Sequence, residues 1–152
     1  MHLTNYAINK RSPKFVFNNS STNMGIGHKR SLKCIYEQMK KKGLDVDKLK
    51  MKINDLIIKT IIAGLPLMAH QYKCCQPEDY SNSMCFHVIG FDVMLDHKEE
   101  PQLIEINHTP SFATDTPLDY KIKFGLIKDT LKLMHITSKR KKVLFELAKE
   151  SN

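Results

Sequence analysis

No uninterrupted apolar run in this 152-residue chain is long enough to cross a bilayer. The longest, Ile57 to Ala69, is broken by Lys59, Gly64 and Pro66, so a soluble protein without membrane contact is expected. No hydrophobic signal segment is read in these residues, so Cys34, Cys74, Cys75 and Cys85 are expected to be reduced thiols in the cytosol, without a disulfide. Cys74 and Cys75 are adjacent, which is not the spacing of a structural zinc site even with His70, Cys85 and His87 close in sequence. No histidine and carboxylate accompany a cysteine in the way a nucleophilic site would need. Internal repeats and low-complexity linkers are missing as well. The basic stretch SKRKK at 138–142 has no aromatic RNA-binding motif or zinc finger beside it, so nucleic acid has only charge in its favour.

Acidic residues are in short supply. Sixteen Asp and Glu stand against 24 Lys and Arg, giving a formal charge of +8 and a pI near 9.3. An acidic partner is expected, whether nucleic acid, phosphate, anionic lipid or an acidic protein segment. The length suits about one domain with a substantial core. Met1-His2-Leu3-Thr4-Asn5-Tyr6 enters a structured segment at once, so the chain reads like the later part of something longer.

His2 to Ile8 alternates as a short strand does, and Asn18 to Gly27 is a polar loop with a basic edge at His28-Lys29-Arg30. Leu32, Ile35, Tyr36 and Met39 follow a helical period, and Gly43 is placed to stop that helix. A second helix begins near Asp45, carries Val46, Leu49, Ile53, Leu56, Ile57 and Ile61 on one stripe, and is expected to end before Gly64-Leu65-Pro66 as the main core helix. Met84 to Leu95 and Gln102 to Ile106 read as two strands. A helix follows from about Asp119 to Ile136, then a basic final helix capped by Ser138. One compact unit is the simplest reading.

The two strands carry the chemistry. If the turn is His97-Lys98-Glu99-Glu100, paired residue numbers sum to 197, so Asp92 faces Glu105, Gly90 faces Asn107 and Met94 faces Leu103. Side chains alternate across a strand, which puts Asp92, Glu105 and Asn107 on one side. Carboxylates opposed at roughly 5 Å repel each other, and a cation between them removes that penalty. Hard oxygen donors of this kind suit Mg²⁺ with nucleotide phosphate and water completing its shell. A solvated hairpin with a polar outer face is the alternative, and Met94 and Leu103 on that same face speak against it.

HLTNYAIN (2–9), IIKTIIA (57–63), GFDVMLDHK (90–98) and LIEINHTPSFATD (103–115) resemble the tubulin–tyrosine ligase-like family, and within it the polyglutamylases. The resemblance covers almost the whole chain. It implies an α/β (α+β) fold, the C-terminal part of an ATP-grasp ligase with a mainly antiparallel sheet packed on helices, over 1–137, followed by a basic helix at 138–152. The implied activity uses ATP to convert a carboxyl group to an acyl phosphate, which an amine attacks. In polyglutamylases glutamate is added to the acidic tails of tubulin.

On that resemblance Asp92, Glu105 and Asn107 fall on the family's ligands for Mg²⁺, with Glu105 bridging two ions, and either carboxylate is expected to be indispensable. Thr4 and Asn5 match positions that look toward ATP, and Tyr6 sits where the amino acid is held; the alternative is that HLTN is only a polar strand end. Lys29 would supply a cation for the glutamate carboxylate, with His108 a neighbouring donor. Here the stretch is GHKRSLK, shifted by an insertion near Asn18 to Asn23. Lys29, Arg30 and Lys33 therefore compete for the role, and a solvated basic helix start explains them as well. The resemblance implies an upstream half that clamps the nucleotide and that these 152 residues do not include, so either a fragment or a reduced protein that does not catalyse unaided is expected. The implied setting is a monomer in the cytoplasm or on the cytoskeleton, including the cilium or basal body. The alternative is a truncated, inactive relative that binds tubulin or microtubules through its basic surface.

Overall fold

The computed structural model describes residues 6–20, 22–23, 25–80 and 85–134. Thr4, Asn5 and the basic helix expected at 138–152 lie outside the described residues. The chain forms α1 (Tyr6–Asn9), α2 (Leu32–Lys41), α3 (Val46–Cys75), β1 (Gly90–Leu95), β2 (Pro101–Asn107) and α4 (Pro117–Leu133). Among the described residues, mixed helices and one antiparallel two-stranded sheet agree with the expected α/β class. Backbone contacts group Met1–Ile35 with Phe112–Asn152, and Tyr36–Ser111 by itself. The sequence had suggested one unit.

In the first unit, Tyr6 to Ile8 are helical where alternation suggested a strand. The carbonyls of Tyr6, Ile8 and Asn9 are satisfied locally by the N–H groups of Lys10, Arg11 and Ser12 at 2.9, 3.1 and 3.0 Å, so no partner strand is needed. The polar loop after it is organised by Asn18, only 2% exposed. Its amide donates to the Asn23 carbonyl and accepts from the Ser20 N–H, at 3.1 and 3.0 Å. His28 closes the loop: its N–H donates to the Val16 carbonyl at 3.1 Å, and its Nδ1 accepts from the Val16 N–H at 3.0 Å. Gly27 permits this approach with φ +77°, since a Cβ there would lie 2.6 Å from the Val16 carbonyl oxygen. α4 starts at Thr116, whose Oγ1 accepts from the Asp119 N–H at 3.2 Å and donates to the Asp119 carboxylate at 2.9 Å. Pro117 fits the first helical position, and Leu118 is the most deeply buried apolar side chain among the described residues, at 1% exposed.

In the second unit, α2 stops at Gly43, whose φ of +86° lets the Leu44 N–H reach the Met39 carbonyl at 3.1 Å. Asp45 then caps α3 by accepting from the Lys48 N–H at 3.0 Å. α3 does not stop at Gly64-Leu65-Pro66. It runs 30 residues with Pro66 inside, so the Ile62 carbonyl has no proline N–H to accept from, and the remaining ladder carries the helix on. Nor is it a core helix among the described residues. Val46 and Leu49 are buried, whereas Met51, Ile58, Ile62, Leu65 and Leu67 are exposed. At this length α3 is long and apolar enough to cross a membrane by length and composition, which corrects the expectation that the stretch was too short. Here it packs against β2, and Lys52 forms an ion pair with Glu100 beside the hairpin turn. α3 ends at Cys75, where the Tyr72 hydroxyl donates to the buried Asp79 carboxylate and Lys73 donates to the Asp79 carbonyl at 2.7 Å.

Candidate metal-binding hairpin

β1 and β2 pair antiparallel with Gly90 opposite Asn107, Phe91 opposite Ile106 and Asp92 opposite Glu105. This is the register expected at the acidic end. Nearer the turn it shifts by one, with Val93 facing Leu103, Met94 facing Gln102 and Leu95 facing Pro101, and Ile104 is the extra residue of a bulge. The expected pairs Met94–Leu103 and Asp96–Pro101 are therefore corrected. The turn has five residues, not four. Asp96 accepts from the Lys98 and Glu100 N–H groups at 2.7 and 2.9 Å, and Glu99 takes a left-handed φ of +63°. The Glu100 backbone N–H, more than any other contact, holds the Asp96 carboxyl below its usual value.

The bulge assigns the faces. Phe91, Val93, Leu95 and Leu103 are half-buried, while Asp92, Met94, Gln102 and Glu105 are exposed. Leu103 thus joins the packed face, leaving a more polar outer face than the sequence suggested. Glu105 is open to solvent despite its apolar flanks Ile104 and Ile106. Asn107 donates from Nδ2 to Glu105 Oε1 at 3.2 Å, which leaves its carbonyl oxygen available as a donor to a cation. Desolvation first, then the hydrogen bond and negative charge of Glu105, push the Asp92 carboxyl above its usual value. A Cβ at Gly90 would rest 3.4 Å from Asn107 Cβ and 3.5 Å from Pro110 Cβ, so glycine leaves that space open.

Two facing carboxylates and an adjacent amide fit a hard divalent cation in donor type and charge. Among the described residues no group of three or more His, Cys, Asp or Glu could hold a metal ion. The hairpin set has two carboxylates and completes itself with an amide.

His108 follows β2, exposed, and its carbonyl accepts from His87 Nε2 at 2.5 Å. Tyr6 and Lys29 belong to the other unit and meet there: the Lys29 ammonium lies 4.6 Å from the Tyr6 ring centroid and 2.5 Å from the Asp119 carboxylate. Lys10 also lies over that ring, at 5.5 Å. Of the competing cations, Arg30 donates to the Gly27 carbonyl at 2.6 Å and Lys33 is exposed. Burial raises the Asp119 pKa, but hydrogen bonds from Lys29 and Thr116 outweigh it and leave the carboxyl below its usual value.

Sequence reasoning missed two partners here. Asp119 was legible as the fourth residue of a T-x-x-D cap. The Lys52–Glu100 pair, 48 residues apart, left no local signal.

The site is therefore a candidate divalent-cation site of oxygen donors on the exposed face of a hairpin. The model of the tubulin-tyrosine ligase family matches residues 1–143, and the chain belongs to that family. It is 51% identical over 150 residues to a "Probable beta-tubulin polyglutamylase" of Tetrahymena thermophila, covering 99% of this chain and 13% of that protein. It is 43% identical over 146 residues to "Tubulin polyglutamylase TTLL6" of Homo sapiens, covering 96% and 16%. To "Tubulin polyglutamylase TTLL7" of Xenopus tropicalis it is 40% identical over 144 residues, covering 93% and 16%. The chain thus spans less than a fifth of the length of these relatives.

Proposed function

We propose that this chain contributes the cation-binding hairpin of an ATP- and Mg²⁺-dependent ligase of ATP-grasp type that joins glutamate to the glutamate side chains of tubulin C-terminal tails, through an acyl phosphate. The reading rests on one observation above others, the opposition of Asp92 and Glu105 with Asn107 beside them, inside the stretch matched by the family. Mg²⁺, as one or two ions, would supply positive charge against nucleotide phosphates while charge shifts during phosphoryl transfer. Asp92, Glu105 and the Asn107 carbonyl would hold it, and the Asn107 N–H orients Glu105. Gly90 leaves space beside Asn107.

Tyr6, with Lys29 over its ring, suits a carboxylate-bearing amino acid. Lys29 is itself balanced by Asp119, so in this reading it binds by sharing its donors. Thr4 and Asn5 toward ATP and His108 toward glutamate complete the assignment. A charge of +8 favours an acidic acceptor such as a tubulin tail, and a cytoplasmic, cytoskeletal or ciliary setting goes with that substrate.

The test supplies this chain within a longer polypeptide with ATP, labelled glutamate and tubulin. Label should appear on tubulin and be lost with Glu105→Ala; transfer undiminished by that change would refute the hairpin's role. The same charge favours a second reading, a non-catalytic tubulin-binding module. It predicts cosedimentation with microtubules, not with tubulin stripped of its acidic tails, and no ATP hydrolysis.

A further inference from the structure

The last two turns of α3 carry a pair of groups that the hairpin chemistry does not use. His70 and Cys74 are four residues apart on one face, both exposed, with the imidazole Nε2 3.8 Å from Sγ. Zinc holds sulfur at about 2.3 Å and imidazole nitrogen at about 2.0–2.1 Å, which at a tetrahedral angle sets the two donors about 3.6 Å apart. The observed separation needs only a slight closing of two unhindered side chains. We propose that His70 and Cys74 form a two-donor site for a thiophilic divalent cation such as Zn²⁺, separate from the oxygen-donor hairpin.

Three observations favour a cation over a reactive thiolate at this place. The pair lies at a helix C-terminus, where the helix dipole favours positive charge and opposes an anionic sulfur. Lys73, the cation next in sequence, is engaged by the Asp79 carbonyl at 2.7 Å. Cys74 is a free thiol, and the Asp79 contacts with Tyr72 and Lys73 fix the backbone that presents it. The adjacent cysteines lack the spacing of a closed structural site, and an open pair has no such requirement. Water fills the remaining positions. Binding converts Cys74–SH and M²⁺ to a Cys74 sulfur–metal bond with release of one proton, so affinity rises with pH.

The experiment uses the full chain without a histidine tag, in a non-thiol reductant, titrated with Co²⁺. A thiolate-to-cobalt charge-transfer band should saturate near one equivalent, disappear on adding Zn²⁺ and survive a large excess of Mg²⁺. His70→Ala and Cys74→Ser should each weaken binding at least about tenfold, while Cys34→Ser leaves it unchanged. Equal affinity in either the His70 or the Cys74 variant would overturn the proposal, as would displacement of the band by Mg²⁺. Circular dichroism of each variant, expected to match the parent because both side chains are exposed, separates lost binding from lost fold.

Discussion

Asp92→Asn should have opposite effects on the metal-free and metal-loaded hairpin. Asp92 and Glu105 are cross-strand partners on an exposed face, and two unit charges about 5 Å apart in water repel by about 0.8 kcal/mol. Like charges directly opposed on a sheet cost about 0.2–1 kcal/mol, so removing one should stabilise the metal-free chain by about 0.5 kcal/mol. For a chain of this size that is a rise of about 1–2 °C in melting temperature. The sign with pH follows from the raised Asp92 pKa. The folded state holds that proton more tightly than the unfolded state, so the penalty is fully present above the folded pKa and fades as pH falls through it. The assay is thermal denaturation at neutral pH in EDTA, repeated at high salt, where screening should erase the difference. Adding Mg²⁺ to ten times its Kd should stabilise the parent by about 1.4 kcal/mol and leave the variant unmoved. The reasoning fails if Asp92→Asn and Glu105→Gln both lower the melting temperature in EDTA, or if Mg²⁺ protects Asp92→Asn as well as the parent.

Leu118→Ala should be the costliest of simple truncations, about 2–4 kcal/mol by chemical denaturation, because that side chain is 1% exposed; a loss below about 1 kcal/mol would contradict its place in the first unit's core. Gly27→Ala should destabilise the Val16–His28 closure, since φ is +77° and the added Cβ meets the Val16 carbonyl, and amide exchange at Val16 and His28 should accelerate while that at Asp45–Lys48 stays put. Carbon-detected NMR titration should find Asp119 ionising below its usual value and Asp92 above it. The lowered Asp119 pKa means that its support is present above the unfolded value and lost as pH falls through the folded one, so Lys29→Met should raise the Asp119 midpoint and leave the Asp92 midpoint alone.

Local signals made the helix boundaries legible where a single residue decides them. Gly43 stops α2 because only a left-handed residue lets the next N–H reach back, and Asp45 starts α3 by accepting from Lys48. Pro66 misled because a missing N–H weakens a helix without ending it when four-residue bonds resume on either side. Tyr6 to Ile8 misled because alternation over a few residues equally describes one helical turn, and the local carbonyl bonds decide between them. The pairing of Lys29 with Asp119 needed the fold, which joins positions 90 residues apart in sequence.

The acidic end of the hairpin was reached through two departures that cancel. A five-residue turn, closed by the Asp96 carboxylate on Lys98 and Glu100, moves the strands one register away from the simple count. The extra residue at Ile104 moves them back before Asp92 meets Glu105. Deleting Ile104 would therefore keep Glu105 opposite Asp92 and remove only the added twist, whereas an insertion in the turn beyond Glu100 would leave the strand pairs intact. What the pairing cannot absorb is a single-residue change between Glu105 and Asn107, because one step turns the amide to the packed side and leaves Glu105 without its 3.2 Å donor. The spacing of those two residues, more than the loop length, is the feature on which a cation site at this hairpin depends.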